Sequence, residues 1–100
     1  MQVSITKSDN ALNVAVSERL DTNTAPVLEK QILDQIEGIT SLTLDMKGLA
    51  YISSAGLRVL LLLHKTMAAK GGNFVIKYPC DEVLEILDMT GFSSFLNIEE

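Results

Sequence analysis

The hydrophobic spacing of this chain switches between two periods, and the order of the switches leaves few folds open to it. Val3 and Ile5 alternate with Ser4 and Thr6, Asp9-Asn10 supplies a turn, and Leu12, Val14 and Val16 resume the alternation, which reads as a β-hairpin with one buried face. From Thr24 to Ile36 the period lengthens. Ala25, Leu28, Ile32 and Ile36 recur every three or four residues behind a Thr24 N-cap, with Pro26 in the first turn and Gly38 after the end. Leu42-Thr43-Leu44, ending at Asp45, and Phe74-Val75-Ile76, after the Gly71-Gly72 break, are short apolar runs suited to central strands. Helical spacing returns over Ser54 to Ala69, and again over Asp81 to Met89, where Val83, Leu84, Ile86 and Leu87 share a side and Gly91 marks the stop. Phe95 to Ile98 is a last short strand. The order β-β-α-β-α-β-α-β with brief loops predicts an α/β fold. It is one domain, residues 1–100, on a mixed, mostly parallel sheet of about five strands with right-handed crossovers.

Composition narrows the function. With 47% hydrophobic and 21% charged residues in 100, the chain forms a packed core and is not disordered. Eight Lys and Arg against thirteen Asp and Glu give 8 − 13 = −5, a field that repels nucleic-acid backbones and anionic lipid headgroups, so no direct nucleic-acid partner is expected. Cys80 stands alone, which excludes an intrachain disulfide and a multi-cysteine zinc site and fits a reducing compartment. The opening MQVSITKSDN lacks the basic head and apolar stretch of a signal peptide, so a cytoplasmic location is expected. Val59 to Leu63 is the longest apolar run, far below the ~20 residues of a membrane span, and no membrane insertion is expected.

The most informative segment is Asp45 to Leu63, DMKGLAYISSAGLRVLLLL, in which strand-like Leu49-Ala50-Tyr51-Ile52 runs through Ser53-Ser54-Ala55-Gly56 straight into a helix. The two serines therefore sit at a helix N-terminus, where unpaired N–H groups and the positive end of the dipole favour a side-chain oxygen or a phosphate. One of them serving as an N-cap is the simplest role. On a helical wheel Leu57, Leu60, Leu61, His64, Met67 and Ala68 fall in an arc facing the core, while Arg58, Leu62, Lys65 and Ala69 face solvent. Asp45, at a strand end, reads as a turn-initiating residue.

Catalytic chemistry finds little support. A serine nucleophile needs a base within hydrogen-bond reach, and the single histidine, His64, lies ten positions beyond Ser54 on the same helix, ~15 Å away. His64 reads better as a core or boundary residue. A Gly-x-Ser-x-Gly elbow is absent, and Gly71-Gly72 precedes a strand and not the Lys-Ser/Thr helix start of a phosphate loop. One His, one Cys and scattered carboxylates suggest no metal site, and no cofactor is expected.

Three stretches resemble one known family. Tyr51-Ile52-Ser53-Ser54-Ala55-Gly56-Leu57-Arg58-Val59-Leu60 is similar to the signature of the STAS domain family, specifically the bacterial anti-sigma factor antagonists. Arg19-Leu20-Asp21 with Thr24-Ala25 resembles the family's Leu-Asp segment before the first helix, and Asp88-Met89-Thr90-Gly91-Phe92 resembles the end of its last helix. The resemblance implies a STAS-like mixed sheet with helices packed mainly on one face, and a serine phosphorylated by a partner anti-sigma factor kinase. It places the acceptor on Ser54, two residues before Gly56, where Ser53 replaces the Asp of many relatives. Asp21 matches a family aspartate near the acceptor at the partner interface, although a loop Asp capping the next helix accounts for it equally well.

The partner-binding surface implied is Asp21, Ser53, Gly56, Arg58, Leu62 and Lys65. A phosphate on Ser54 adds about −1.5 to −2 charges, tolerated locally by the helix dipole but adverse to an acidic or apolar partner patch. The resemblance thus implies a non-enzymatic switch. Unmodified, it binds an anti-sigma factor serine kinase and frees the sigma factor; phosphorylated, it lets go; a serine phosphatase resets it. The alternative is a cytoplasmic accessory subunit of a lipid-transport ATPase, a role that stand-alone STAS domains also fill.

Overall fold

A computed structural model describes residues 1–100 and shows one α/β domain. Its elements are β1 (Gln2–Ser8), β2 (Ala11–Leu20), α1 (Ala25–Leu33), β3 (Ser41–Ile52), α2 (Ser54–Ala69), β4 (Asn73–Lys77), α3 (Asp81–Met89), a 3₁₀ turn (Phe92–Ser94) and β5 (Asn97–Glu99). The five strands lie in sequence order in one sheet, β1–β2 antiparallel and every other pair parallel.

Register explains why the sheet is covered on one side only. Ile5, Val14, Leu44, Ile76 and Ile98 align across all five strands, and Leu12, Leu42 and Phe74 align beside them. The inner strands of these rows meet Ala25, Leu28 and Ile32 of α1, Leu60, Leu63 and Met67 of α2, and Val83 and Leu87 of α3 in a core of 22 buried residues, with Ile5 and Ile98 of the edge strands partly buried against it. Each fully buried Leu or Ile is worth about 1.5–3 kcal/mol of transfer free energy. The opposite face carries Thr6-Asn13-Thr43-Val75-Asn97 and Ser4-Ala15-Asp45-Lys77-Glu99, polar or small residues apart from the single Val75, which need no cover. The helices therefore lie on one face, as the resemblance implied.

The largest departure from the sequence reading is β3. Leu42-Thr43-Leu44 does not end at Asp45; the strand continues for twelve residues to Ile52, and Asp45 is an interior position paired with Ala15 and Lys77, not a turn former. Its carboxylate still accepts a hydrogen bond from the Lys47 N–H two residues on (2.9 Å), the local habit that made it look like a turn residue. Beyond Asp45 the strand bulges twice against β2: Ala15 pairs with Asp45 but Ser17 with Gly48, and Glu18 with Leu49 but Arg19 with Tyr51. Each bulge adds one residue to β3. The inward positions accordingly change from every second residue (Leu42, Leu44, Met46) to every third (Met46, Leu49, Ile52), a spacing that no strand template matches.

Smaller differences lie at element ends. Helix α1 stops at Leu33, leaving Ile36 in the turn before Gly38 (φ +80°), and Thr24 holds the N-cap position without a side-chain capping bond. The closing strand is Asn97–Glu99; Phe95 lies before it, its ring 5.1 Å from Phe92. In α2 the buried residues are Gly56, Val59, Leu60, Leu63 and Met67. The arc predicted from the wheel is displaced: Leu57, Leu61 and His64 are half-buried, Ala68 is exposed, and Leu62 is half-buried rather than exposed. Five consecutive apolar residues, Val59 to Leu63, leave the wheel without a sharp stripe, so contact with the sheet decides the facing.

Candidate functional site

The end of β3 delivers the two serines to the surface. Ile52 pairs with Leu20 at the end of β2, and the next residue's N–H, that of Ser53, donates to the Leu20 carbonyl (2.9 Å). Ser53 is extended (φ −96°, ψ 178°) and is the N-cap of α2: its hydroxyl accepts the Gly56 N–H (3.4 Å), and its carbonyl accepts from Leu57. Ser54 is the first helical residue. It is exposed, and no neighbour engages its hydroxyl, whereas Ser53 is half-buried and committed to the cap. The two adjacent serines are therefore chemically unequal.

Gly56 makes this junction possible. It is buried, and a Cβ there would lie 2.7 Å from Ile52 Cγ1 and 3.0 Å from both Leu20 Cγ and the Leu20 carbonyl oxygen. Only a residue without a side chain lets the first turn of α2 seat against the ends of β2 and β3. Its role in the structure is this close approach.

The loop after Leu20 forms the other wall. Asp21 and Thr24 cap one another: the Thr24 N–H and hydroxyl donate to Asp21 Oδ1 (3.1 and 3.2 Å), and the Asp21 N–H donates to Thr24 Oγ1 (2.9 Å). Asn23 N–H adds a third bond to the same carboxylate oxygen, and the single Thr24 hydroxyl proton is shared between that oxygen and the nearer Arg19 carbonyl (2.8 Å). The Asp21 carboxyl is held below the usual carboxylate range, chiefly by the Thr24 N–H bond. Desolvation opposes the shift, while the Asn23 N–H, the Thr24 hydroxyl and the Arg19 charge add to it. The Asp21 carboxylate thus orders the loop that leads into α1, beside the serines, without capping a helical N–H of α1 itself.

Two residues of this rim had no role assigned from sequence. Arg19 pairs in register with Tyr51, its guanidinium 4.4 Å from the ring centroid, and its Nε is 3.7 Å from Asp21 Oδ2. Tyr51 is an exposed aromatic next to the serine segment. Their pairing depends on the second bulge, which shifts Arg19 from opposite Ala50 to opposite Tyr51, so sequence spacing gives no sign of it.

Of the remaining candidates, Arg58 is exposed one turn beyond Ser54 and lines a groove of about 200 Å³ with Ala25, Pro26, Glu29, Ala55 and Val59. Leu62 and Lys65 lie farther along α2, eight and eleven residues from Ser54, ~12 and ~16 Å of helix. The structure thus gathers Asp21, Ser53, Ser54, Gly56 and Arg58 at one end and leaves Leu62 and Lys65 on the helix running away from it. His64 packs its ring on Phe95 (5.0 Å between centroids) as a boundary residue. Cys80 donates its thiol to the Leu49 carbonyl (3.3 Å). No helix is long and apolar enough to cross a membrane.

This arrangement, a sheet covered on one face whose central strand ends in a serine-bearing helix start, defines the STAS domain class. The chain belongs to that family: the STAS domain profile matches residues 2–100. Among characterised proteins it is 31% identical over 99 residues to BtrV of Bordetella bronchiseptica, a candidate anti-sigma factor antagonist, covering 98% of this chain and 85% of BtrV. It is 24% identical over 98 residues to the anti-sigma-B factor antagonist of Bacillus subtilis, covering 98% and 90%. The crystal structure of a candidate anti-sigma factor antagonist from Thermotoga maritima superposes with a TM-score of 0.92 at 20% identity, covering 98% and 86%. Bacillus SpoIIAA in its phosphorylated form superposes with a TM-score of 0.78 at 13% identity, covering 97% and 90%. These structures share the fold.

Proposed function

We propose that this protein is an anti-sigma factor antagonist, a cytoplasmic, non-catalytic switch that binds an anti-sigma factor kinase when unmodified and is released by phosphorylation of Ser54. The observation that carries this reading is the inequality of the two serines: Ser53 spends its hydroxyl on the Gly56 N–H, while Ser54 presents a free, exposed one. The relatives matched over nearly the whole chain, named as anti-sigma factor antagonists or candidates for that role, supply the class of partner. The docking face is the rim at the start of α2, Asp21, Ser53 and Arg58, extended along the helix by Leu62 and Lys65; Gly56, which the resemblance placed on this face, is buried beneath it and serves by seating the helix.

In the switching step Ser54 Oγ attacks the γ-phosphorus of ATP held by the kinase. The bond to ADP breaks, ADP leaves, and the hydroxyl proton passes to a base on the kinase. The phosphate stands on the first residue of α2, where the positive end of the helix tolerates it, so the fold persists. Facing the partner, the same charge brings repulsion and desolvation, and the complex separates. A serine phosphatase restores the hydroxyl.

The test is intact-mass measurement of wild type and Ser54→Ala after incubation with a candidate anti-sigma factor kinase, ATP and magnesium. One phosphate on wild type and none on Ser54→Ala is expected. Modification mapped to Ser53, or label acquired by the purified chain without a kinase, overturns the reading.

A further inference from the structure

The chain carries eight Lys and Arg, and most are already engaged. Arg19 lies beside Asp21 and over Tyr51, Lys30 pairs with Asp34, Lys47 sits over Tyr78, Lys70 donates to the Ile36 carbonyl and Lys77 pairs with Glu99. Lys7, Arg58 and Lys65 remain. Lys7 is in β1 next to the hairpin turn, paired with Leu12, and Lys65 is eleven residues from Ser54, three turns along α2. Arg58 follows Ser54 by four residues on the same helix, is exposed, and forms no ion pair although Glu29 of α1 lines the same groove.

Residues four apart on a helix are surface neighbours, and an anion preceding a cation by four is the favoured order. The planar guanidinium also matches phosphate geometry in a two-pronged hydrogen bond, which an ammonium does not. We propose that Arg58 is the internal partner of a phosphate on Ser54, so that modification adds an anion to the docking face and at the same time withdraws its one unengaged arginine. This deepens the switch reading and rests on Ser54 as the acceptor. Unmodified, Arg58 extends toward an acidic group of the partner; modified, it folds back along its own helix. A released partner then meets a face that has lost a donor as well as gained a charge.

The test installs phosphoserine at position 54 by cotranslational incorporation and follows the phosphate's second ionisation by ³¹P NMR in otherwise wild-type protein, Arg58→Gln and Arg19→Gln. Asp21 on the neighbouring loop and Glu29 on α1, the nearby acids, stay unchanged in all three. Pairing with Arg58 favours the dianion, so Arg58→Gln should raise the midpoint by about 0.2–0.4 of a pH unit while Arg19→Gln leaves it in place. Identical titrations for the first two proteins overturn the proposal, as does a shift that follows Arg19. Because no kinase is involved, a negative result speaks against the Arg58 pairing alone, and the intact-mass experiment speaks to Ser54 as acceptor.

Discussion

The two halves of β3 obey different rules. From Ser41 to Asp45 the strand is hydrogen-bonded on both sides, to β2 and β4, and its side chains alternate between core and open face. From Met46 to Ile52 it has lost β4, bulges twice against β2, and turns every third residue inward. The first half is scaffold. The second is irregular where it hands the chain to Ser53 and Ser54, and it brings Arg19 over Tyr51 and Gly56 against Leu20. Regular pairing stabilises, and the extra residues of the bulges aim the site.

Substitutions that separate these roles sharpen the contrast. In the regular half, Leu44 is fully buried between Val14 and Ile76, and Leu44→Ala should lower unfolding free energy by about 2–5 kcal/mol in urea titrations. A loss under ~1 kcal/mol would show that the core collapses around the gap. At the site end, Gly56→Ala forces a methyl against Ile52 and the Leu20 carbonyl; the expected cost is about 1–3 kcal/mol, with partner binding weakened as the first turn of α2 lifts away.

The serines provide a finer comparison. Ser53→Ala removes the cap and should cost about 0.5–2 kcal/mol, whereas Ser54→Ala should stay within about 0.5 kcal/mol of wild type. Equal losses by thermal melting would mean that the cap is shared and the inequality of the two hydroxyls is not real. Last, Asp21→Asn removes a carboxylate held below its usual range in the folded state. Such a group adds stability at pH values above the ordinary carboxylate range, and that contribution fades as pH falls below about 4 and through the lowered folded value. Melting temperature against pH should therefore fall less steeply in acid for Asp21→Asn than for wild type.

Where each side chain had only to choose one of two faces, the sequence was enough. The hairpin, the α2 limits at Ser54 and Ala69, the α3 limits at Asp81 and Met89, and the five-strand mixed sheet all follow from spacing, Gly and Pro punctuation and the strand-helix order, because burial of a regular element imposes its own period. The serine pair at a helix start was legible for the same reason. Tertiary structure decided the rest. Asp45 looks like a turn residue because its carboxylate binds locally, yet pairing with Ala15 and Lys77 keeps it in a strand. The wheel turned Leu57, Leu61, His64 and Ala68 of α2 to the core and left Leu62 in solvent, whereas the structure buries Val59, Leu60, Leu63 and Met67, a facing set by contact with the sheet and by the seating of Gly56 on Leu20 and Ile52. Which serine caps and which stays free depends on the extended backbone of Ser53, and that backbone is held by a carbonyl thirty-three positions earlier in the chain. Local sequence specifies a period and an ending; a contact between distant segments specifies a direction, and the site is made of directions.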